Sequence, residues 1–500
     1  MRSPSPLIDC SLISSRFRLL LVLTMGLAAA FTTGCGGSSS STSGSTLTGN
    51  TTVMVLATSN ANNQLTQFPL TLQSLTLTSQ SGKTVTVVST PQSTEYMHLN
   101  GTVEPLTTAT IPQDIYTSAT ATVEGGFPVC VGLKSDGGLL INGALGGYSS
   151  GSGATVKLPA PITVTGTSMG LALDLQVSES ISSFSCVANP SATITPVFNL
   201  LPVTIAAQPT NSANGMATGL HGLISSGAAS GSSFSVTSAF GPTGQVIPGS
   251  ITWQVSTSSS TAFQGITGAS QLAAGLPVDM DVAIQQDGSL LATRVAVYDT
   301  NASTLTIAGG LLDEETNSES VLNAAIVEYQ GSILYGLSMS NPFSFGNAVF
   351  QTSGQLTNLK SLPFTASFNA ANMVNGQNVF ITTHAASESR NPIYVPITTM
   401  TLLPQTINGT VNAISSSGGF TTYTVALAAY DLFPNLAVLP GQTTLLTNPG
   451  NVVVYADTNT QQLDTDPIAV GSVLRFNGLV FNDNGTLRMD CAQINDGVAE

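Results

Sequence analysis

Ser149 and Ser168 are the residues most readily read as nucleophiles. Each sits in a Gly-x-Ser-x-Gly stretch: Gly147-Tyr148-Ser149-Ser150-Gly151 and Gly166-Thr167-Ser168-Met169-Gly170. A serine presented this way needs a strand, a sharp turn and then a helix. Leu171–Val177, after the second stretch, alternates like a strand. Gly- and Ser-rich sequence follows the first. With 48 glycines in the chain, chance accounts for both matches, and a serine hydrolase is the weakest reading of this sequence.

Metal chemistry finds as little support. His98, His221 and His384 are far apart and have no ligand spacing, so each reads as a strand or turn residue rather than part of a zinc site. Carboxylates gather at Asp313-Glu314-Glu315 and at Asp457, Asp464 and Asp466. Calcium favours such oxygens, but neither group has a calcium-loop spacing, so both read as solvated acidic turns. The lysines are Lys83, Lys134, Lys157 and Lys360, and none follows a phosphate-binding glycine loop. No cofactor and no catalytic set are expected.

The cysteines are more informative. Arg16 and Arg18 precede the apolar run Leu19–Phe31, which is too short to cross a bilayer as a helix and fits the core of an export signal. Thr32-Thr33-Gly34-Cys35 closes it and resembles a bacterial lipobox, with Thr32 where leucine is usual. The resemblance implies cleavage before Cys35 and acylation of its amino group and thiol, a palmitate-class anchor. With Gly36 at the next position, it also implies the outer membrane or cell surface. The alternative is a plain signal cut after Ala28-Ala29-Ala30, which gives a periplasmic or secreted product. Gly36–Asn50 is nearly all Gly, Ser and Thr, the composition of a flexible tether. In an oxidising compartment, Cys130 and Cys186 are expected to form a disulfide within one domain, the alternative being two buried thiols. Closing that loop contributes about 4 kcal/mol in the chain-entropy model. Cys491 is left unpaired.

Composition agrees with export. Only 7% of the 500 residues are charged, 42% are hydrophobic, and the formal net charge is −15. Ser, Thr, Asn and Gln supply the outward positions. So acidic a chain is not expected to bind nucleic acid through its phosphates.

The elements that would position these groups read as strands. Leu171, Leu173, Leu175 and Val177 alternate with Ala172, Asp174 and Gln176, a half-buried strand. Leu70 and Leu72 share one parity and Leu75 and Leu77 the other, which predicts a bulge. Ser81-Gly82 marks a hairpin. Further on the chain repeats itself. Gly275–Val282 leads through Asp287-Gly288 to Leu291–Asp299, and Gly471–Gly478 leads through Asn484-Gly485 to Leu487–Asp496. Asp-Gly and Asn-Gly are strong hairpin signals. Gly376–Thr401 is a weaker copy, and a glycine-marked strand pair precedes each one, at Gly219–Gly222, Gly309-Gly310 and Gly409. In such barrels Val278, Met280, Val282 and Ile284 would face inward, and Asp279 and Asp281 outward. Trp253 shares a parity with Ile251 and Val255 and reads as core.

Phe68-Pro69-Leu70-Thr71-Leu72, Leu75-Thr76-Leu77, His98-Leu99-Asn100-Gly101 and Ile111-Pro112-Gln113-Asp114-Ile115-Tyr116 resemble domain-of-unknown-function family 4382. That resemblance implies an immunoglobulin- or prealbumin-like β-sandwich and no known activity. The glycines and final hairpins of the repeats resemble the small barrels of family 5666. The expectation is an all-β protein: signal 1–34, tether 35–50, sandwich 51–212, and barrels over 213–301, 302–404 and 405–500. It would act without catalysis, held to a membrane through Cys35, on an unknown protein or glycan partner. Carbohydrate binding is the alternative, weakened by a single Trp and 6% aromatic residues.

Overall fold

The computed structural model describes residues 47–60, 65–99, 102–125, 128–133, 139–145, 152–182, 186, 191–209, 212–227, 232–238, 249–297, 306–315, 321–329, 332–339, 343–352, 361–374, 376–383, 395–428, 433, 450–462 and 467–496. Strands dominate them. The first region holds β1 (Asn50–Ser59), β2 (Leu65–Gln67), β3 (Pro69–Ser79), β4 (Thr84–Val88), β5 (Gln92–Glu95), β6 (Glu104–Pro112), β7 (Asp114–Glu124), β8 (Val129–Leu133), β9 (Leu139–Ala144), β10 (Ser152–Lys157), β11 (Ile162–Val164), β12 (Ser168–Leu175) and β13 (Val197–Val203). Ten of these make one sheet in the order β4-β3-β7-β10-β13-β12-β1-β6, with β5 beside β3 and β11 beside β7. β10 joins its two halves, pairing with β7 through Ser152–Ala154 and with β13 through Thr155–Lys157. A strand that changes partners midway lets two sheet halves close on one core.

The parity slip in β3 is a bulge: its register against β7 shifts between Leu72 and Ser74, which keeps Leu70, Leu72, Leu75 and Leu77 all buried. Gly82 turns the β3–β4 hairpin at φ +81°. The Tyr116 hydroxyl donates back to the Pro112 carbonyl at 2.9 Å, pinning the corner where β6 becomes β7. β2, β8 and β9 form a separate small sheet. A disulfide joins Cys130 in β8 to Cys186, with Cα atoms 5.6 Å apart.

The rest of the chain forms three closed barrels. The first has β14 (Met216–Ser226), β15 (Ser233–Ser238), β16 (Thr252–Ser256), β17 (Ala262–Gln264), β18 (Pro277–Ile284) and β19 (Leu290–Val297). The second has β20 (Thr306–Glu315), β21 (Val321–Tyr329), β22 (Ser332–Met339), β23 (Phe343–Ser344), β24 (Val349–Thr352), β25 (Asn378–Thr383) and β26 (Val395–Leu402). The third has β27 (Gln405–Ser417), β28 (Phe420–Leu427), β29 (Asn451–Ala456), β30 (Gln461–Gln462), β31 (Val473–Asp483) and β32 (Thr486–Asp496). All three share one plan, with β22 and β23 of the second barrel, both paired with β21, counted together as its third strand. The first strand pairs with the second and the fourth, the fourth with the fifth, and the barrel closes where the third runs parallel to the fifth. A short extra strand (β17, β24 or β30) lies parallel to the fifth each time. This is the five-stranded Greek-key plan of the OB-fold. Closure leaves few open sheet edges, which suits strands so poor in charge.

The repeated glycines have a steric cause. A Cβ on Gly222 would lie 2.4 Å from the Thr237 carbonyl oxygen, and one on Gly409 2.2 Å from that of Ala426. Each marks a close approach of the first strand to the second that leaves no room for a side chain. Asn484 and Gly485 both have positive φ, 53° and 86°, as a type I′ hairpin turn requires.

The barrels are not separate beads. Residues 48–500 make one compact unit, and one continuous core runs from the sandwich into the first barrel. The indole of Trp253 donates to the Pro105 carbonyl at 2.8 Å, so the Trp is buried and also bonds the first barrel to the sandwich. Leu479 and Phe481 of the third barrel pack with Phe345, Ile381 and Met400 of the second.

Candidate functional site

The titratable side chains that sequence spacing kept apart meet where barrels dock on the sandwich. At the first barrel, β5 and β6 contribute Glu95 and Glu104, and the 3₁₀ turn Met97–Leu99 places His98 between them. His98 Nδ1 lies 3.3 Å from Glu95 Oε2, and Nε2 lies 3.5 Å from Glu104 Oε2. Glu95 also accepts from the backbone N–H groups of Phe68, Met97 and His98, which fixes the turn. Burial opposes a charge on His98, but hydrogen bonds to Glu104 and Glu95, with their negative charges, outweigh it and push its pKa up to about 9. The ring of His221 on β14 faces it, centroid to centroid 6.3 Å.

His221 Nδ1 lies 3.0 Å from Asp279 Oδ2 on β18. Arg294 on β19 joins Asp279 to Asp281, with Nε donating to Asp281 Oδ2 at 2.7 Å. Burial works against the Asp279 charge, but Arg294 and His221 hold its carboxyl well below the usual range. Sequence alternation puts Asp279 and Asp281 outside the barrel, and so they are. Yet they are buried, because His221, Arg294 and the sandwich cover that face. Thr102 and Thr218 share a hydrogen bond at 2.9 Å across the same junction.

The third barrel docks through the equivalent position. Gly222 pairs with Val278 and Gly409 with Leu474, so Arg475 stands where the first barrel has Asp279, and Asn408 where it has His221. Arg475 Nη1 donates to the Ser59 carbonyl at 2.7 Å, and Nη2 lies 3.8 Å from Asp174 Oδ2. Burial pushes Asp174 up, while Arg475 and a hydrogen bond from Gln176 pull the other way. The same docking corrects the half-buried reading of β12. Ala172 and Asp174 are buried too, the strand stops at Leu175, and Val177 begins a helical turn.

Other sequence readings resolve as follows. Ser168 opens β12 after a turn at Gly166 (φ +77°) and the chain continues as strand, so no nucleophile elbow forms there. Gly147–Gly151, His384, Asp464, Asp466 and Cys35 lie outside the described residues. Asp313-Glu314-Glu315 is strand rather than turn, paired with Asn323, Leu322 and Val321. Asp457 caps its own turn, accepting from the N–H groups of Asn459 and Thr460. Among the described residues no three His, Cys, Asp or Glu side chains are grouped to hold a metal ion. Cys491 is a buried free thiol whose pKa burial drives up, which makes it unreactive. The meeting of His98 with His221 was not legible from spacing. The one sequence signal is the alternation that puts Asp279 and Asp281 on the outer face of a barrel strand.

No protein-family model matches the chain, and no curated protein matches it. Among solved structures, a deletion mutant of the single-stranded DNA-binding protein from Thermus aquaticus is similar at 12% identity, over 40% of this chain and 95% of that one, with a TM-score of 0.14. A likeness that slight carries no argument.

Proposed function

We propose that this protein is a non-catalytic, exported lipoprotein, a rigid scaffold or binding module tethered through Cys35 to an outer membrane or cell surface. The observation that carries the reading is where the charged groups go. At the docking faces His98 is paired with Glu95 and Glu104, His221 and Arg294 with Asp279, and Arg475 with Asp174. Of these pairs, Arg475–Asp174 ties one module to another, and groups so paired are spent as acids, bases or ligands. The Gly/Ser/Thr tether and the lipobox-like Thr32–Cys35 support surface attachment, as does the resemblance of residues 65–123 to family 4382. Among the described residues no helix is long and apolar enough to cross a membrane. The test is metabolic labelling with an alkyne-palmitate in a Gram-negative host. Label is expected on the protein and lost in Cys35→Ser; an unlabelled, unprocessed product in the cytosol would overturn the reading.

Carbohydrate binding is the second reading, supported by the barrel plan. Five-stranded Greek-key barrels of this kind bind oligonucleotides or oligosaccharides on an outer face. An acidic chain with 11 Lys and Arg in 500 residues disfavours the first.

A further inference from the structure

The outer face of the third barrel is covered by a piece of the same chain. Val454, Met489, Cys491 and Val480 point into the barrel core, so strand alternation turns Tyr455, Arg488, Asp490 and Phe481 outward. Phe420 joins them, 6.1 Å from Tyr455 between ring centroids. Over this face lies Phe364, its ring 5.0 Å from Tyr455 and 6.0 Å from Phe481. The Arg488 guanidinium sits 5.7 Å from the Phe364 centroid and 5.8 Å from that of Tyr455. Arg488 is held in place by Asp483, at 2.8 Å, and by the Tyr455 hydroxyl.

The covering segment is held differently from everything around it. Leu362–Ala366 belongs to no strand, and its side chains alternate between exposed and half-buried. Phe364 itself is only half-buried. The anchor comes downstream, where Phe368 packs on Phe350 in the second barrel. On the same outer face, Asp490 pairs in register with Tyr455 on one side and Leu479 on the other. Asp490 is 5% exposed, and its Oδ2 has no hydrogen-bond partner among the described residues. A buried carboxylate oxygen left open beside an aromatic ring is costly unless a donor reaches it.

We propose that Tyr455, Arg488 and Asp490 form a subsite for one ring of a neutral oligosaccharide, closed in this structure by Phe364. A pyranose has an apolar face to stack on Tyr455 and hydroxyls at its edge. One hydroxyl donates to Asp490 Oδ2, and another accepts from Arg488. Arg488 is balanced by Asp483, so the open Asp490 leaves the site negative and excludes acidic sugars. Phe364 supplies the stacking but cannot supply the donor, so a sugar displaces it with a net gain in hydrogen bonding. This inference rests on the carbohydrate reading above.

The experiment titrates cellopentaose, maltopentaose and chitopentaose calorimetrically into the full-length wild type, Phe364→Ala, and Phe364→Ala combined with Tyr455→Ala or Asp490→Asn. Phe364→Ala is expected to bind at least one of the three tenfold or more tightly than the wild type, and either added substitution to reverse the gain. Equal binding by wild type and Phe364→Ala, unaffected by Tyr455→Ala, leaves the carbohydrate reading standing and overturns this subsite. No heat from the wild type or a folded Phe364→Ala overturns both. Should Phe364→Ala fail to fold by circular dichroism, the same titrations on Phe364→Leu decide, since leucine keeps the packing and loses the ring.

Discussion

His98 and His221 come from different modules and face each other at 6.3 Å, each against its own carboxylates. Each cluster is neutralised within its own module, and the first barrel is docked by the shared apolar core and by the Trp253–Pro105 and Thr102–Thr218 hydrogen bonds. Because His98 is raised to about 9 from an ordinary 6.5, its contribution to stability is complete below about pH 6.5 and is lost as pH rises through about 9. The thermal midpoint of the wild type should fall across that window. His98→Gln should flatten the fall and cost about 3–5 kcal/mol at pH 6, since Glu95 and Glu104 stay buried without their cation. A variant whose pH profile runs parallel to the wild type would refute this role.

Arg475 should couple the third barrel to the sandwich. Arg475→Met leaves Asp174 buried without its cation and should cost about 3–5 kcal/mol. Adding Asp174→Asn should restore part of that loss, giving a coupling of about 0.5–3 kcal/mol in a double-mutant cycle from urea unfolding. Strictly additive losses would mean that the 3.8 Å contact has no energetic content.

Gly222→Ala and Gly409→Ala drive a methyl into carbonyl oxygens at 2.4 and 2.2 Å. Each should lose about 1–3 kcal/mol or more. Gly153→Ala, with nothing within 4 Å of the new carbon, should be neutral or slightly stabilising. Chemical denaturation of the three variants checks the order, and a Gly409→Ala protein as stable as Gly153→Ala would contradict the close approach.

Trp253 is the only tryptophan and bonds the first barrel to Pro105 of the sandwich. Its fluorescence therefore reports on that junction. Unfolding followed at Trp253 should coincide with unfolding followed by far-ultraviolet circular dichroism of the whole chain. A fluorescence transition well ahead of the bulk signal would show that the junction opens on its own.

The Cys130–Cys186 bridge spans the small β8–β9 sheet and the segment before β13. Its double serine variant should lose about 2–4 kcal/mol, measured as a lower denaturation midpoint with the same slope. Wild type in reductant should match it, and a reduced protein as stable as the oxidised one would mean that the loop is already ordered by packing.

Local sequence alone determined the strands, their turns and their inward faces, because each depends on residues a few positions apart. Period-two alternation marked Val278, Met280, Val282 and Ile284 as core, the Leu72–Leu75 slip marked a bulge, and Asp287-Gly288 and Asn484-Gly485 marked hairpins. The pairing of Cys130 with Cys186 is expected from their count and their place in one domain, on the expectation of export, and the structure bears the bridge out. Tertiary structure alone decided what the outward faces do. Alternation reports that Asp279, Asp281 and Asp174 leave the barrel or sheet, but it carries no information on what they leave it toward. Asp279 meets Arg294 and His221 within its own barrel, whereas Asp174 meets Arg475, and the His98 ring meets that of His221, only through the packing of the barrels on the sandwich. The same holds for Phe364, an ordinary loop residue in sequence that lies against Tyr455 and Arg488 only once the second and third barrels are in place.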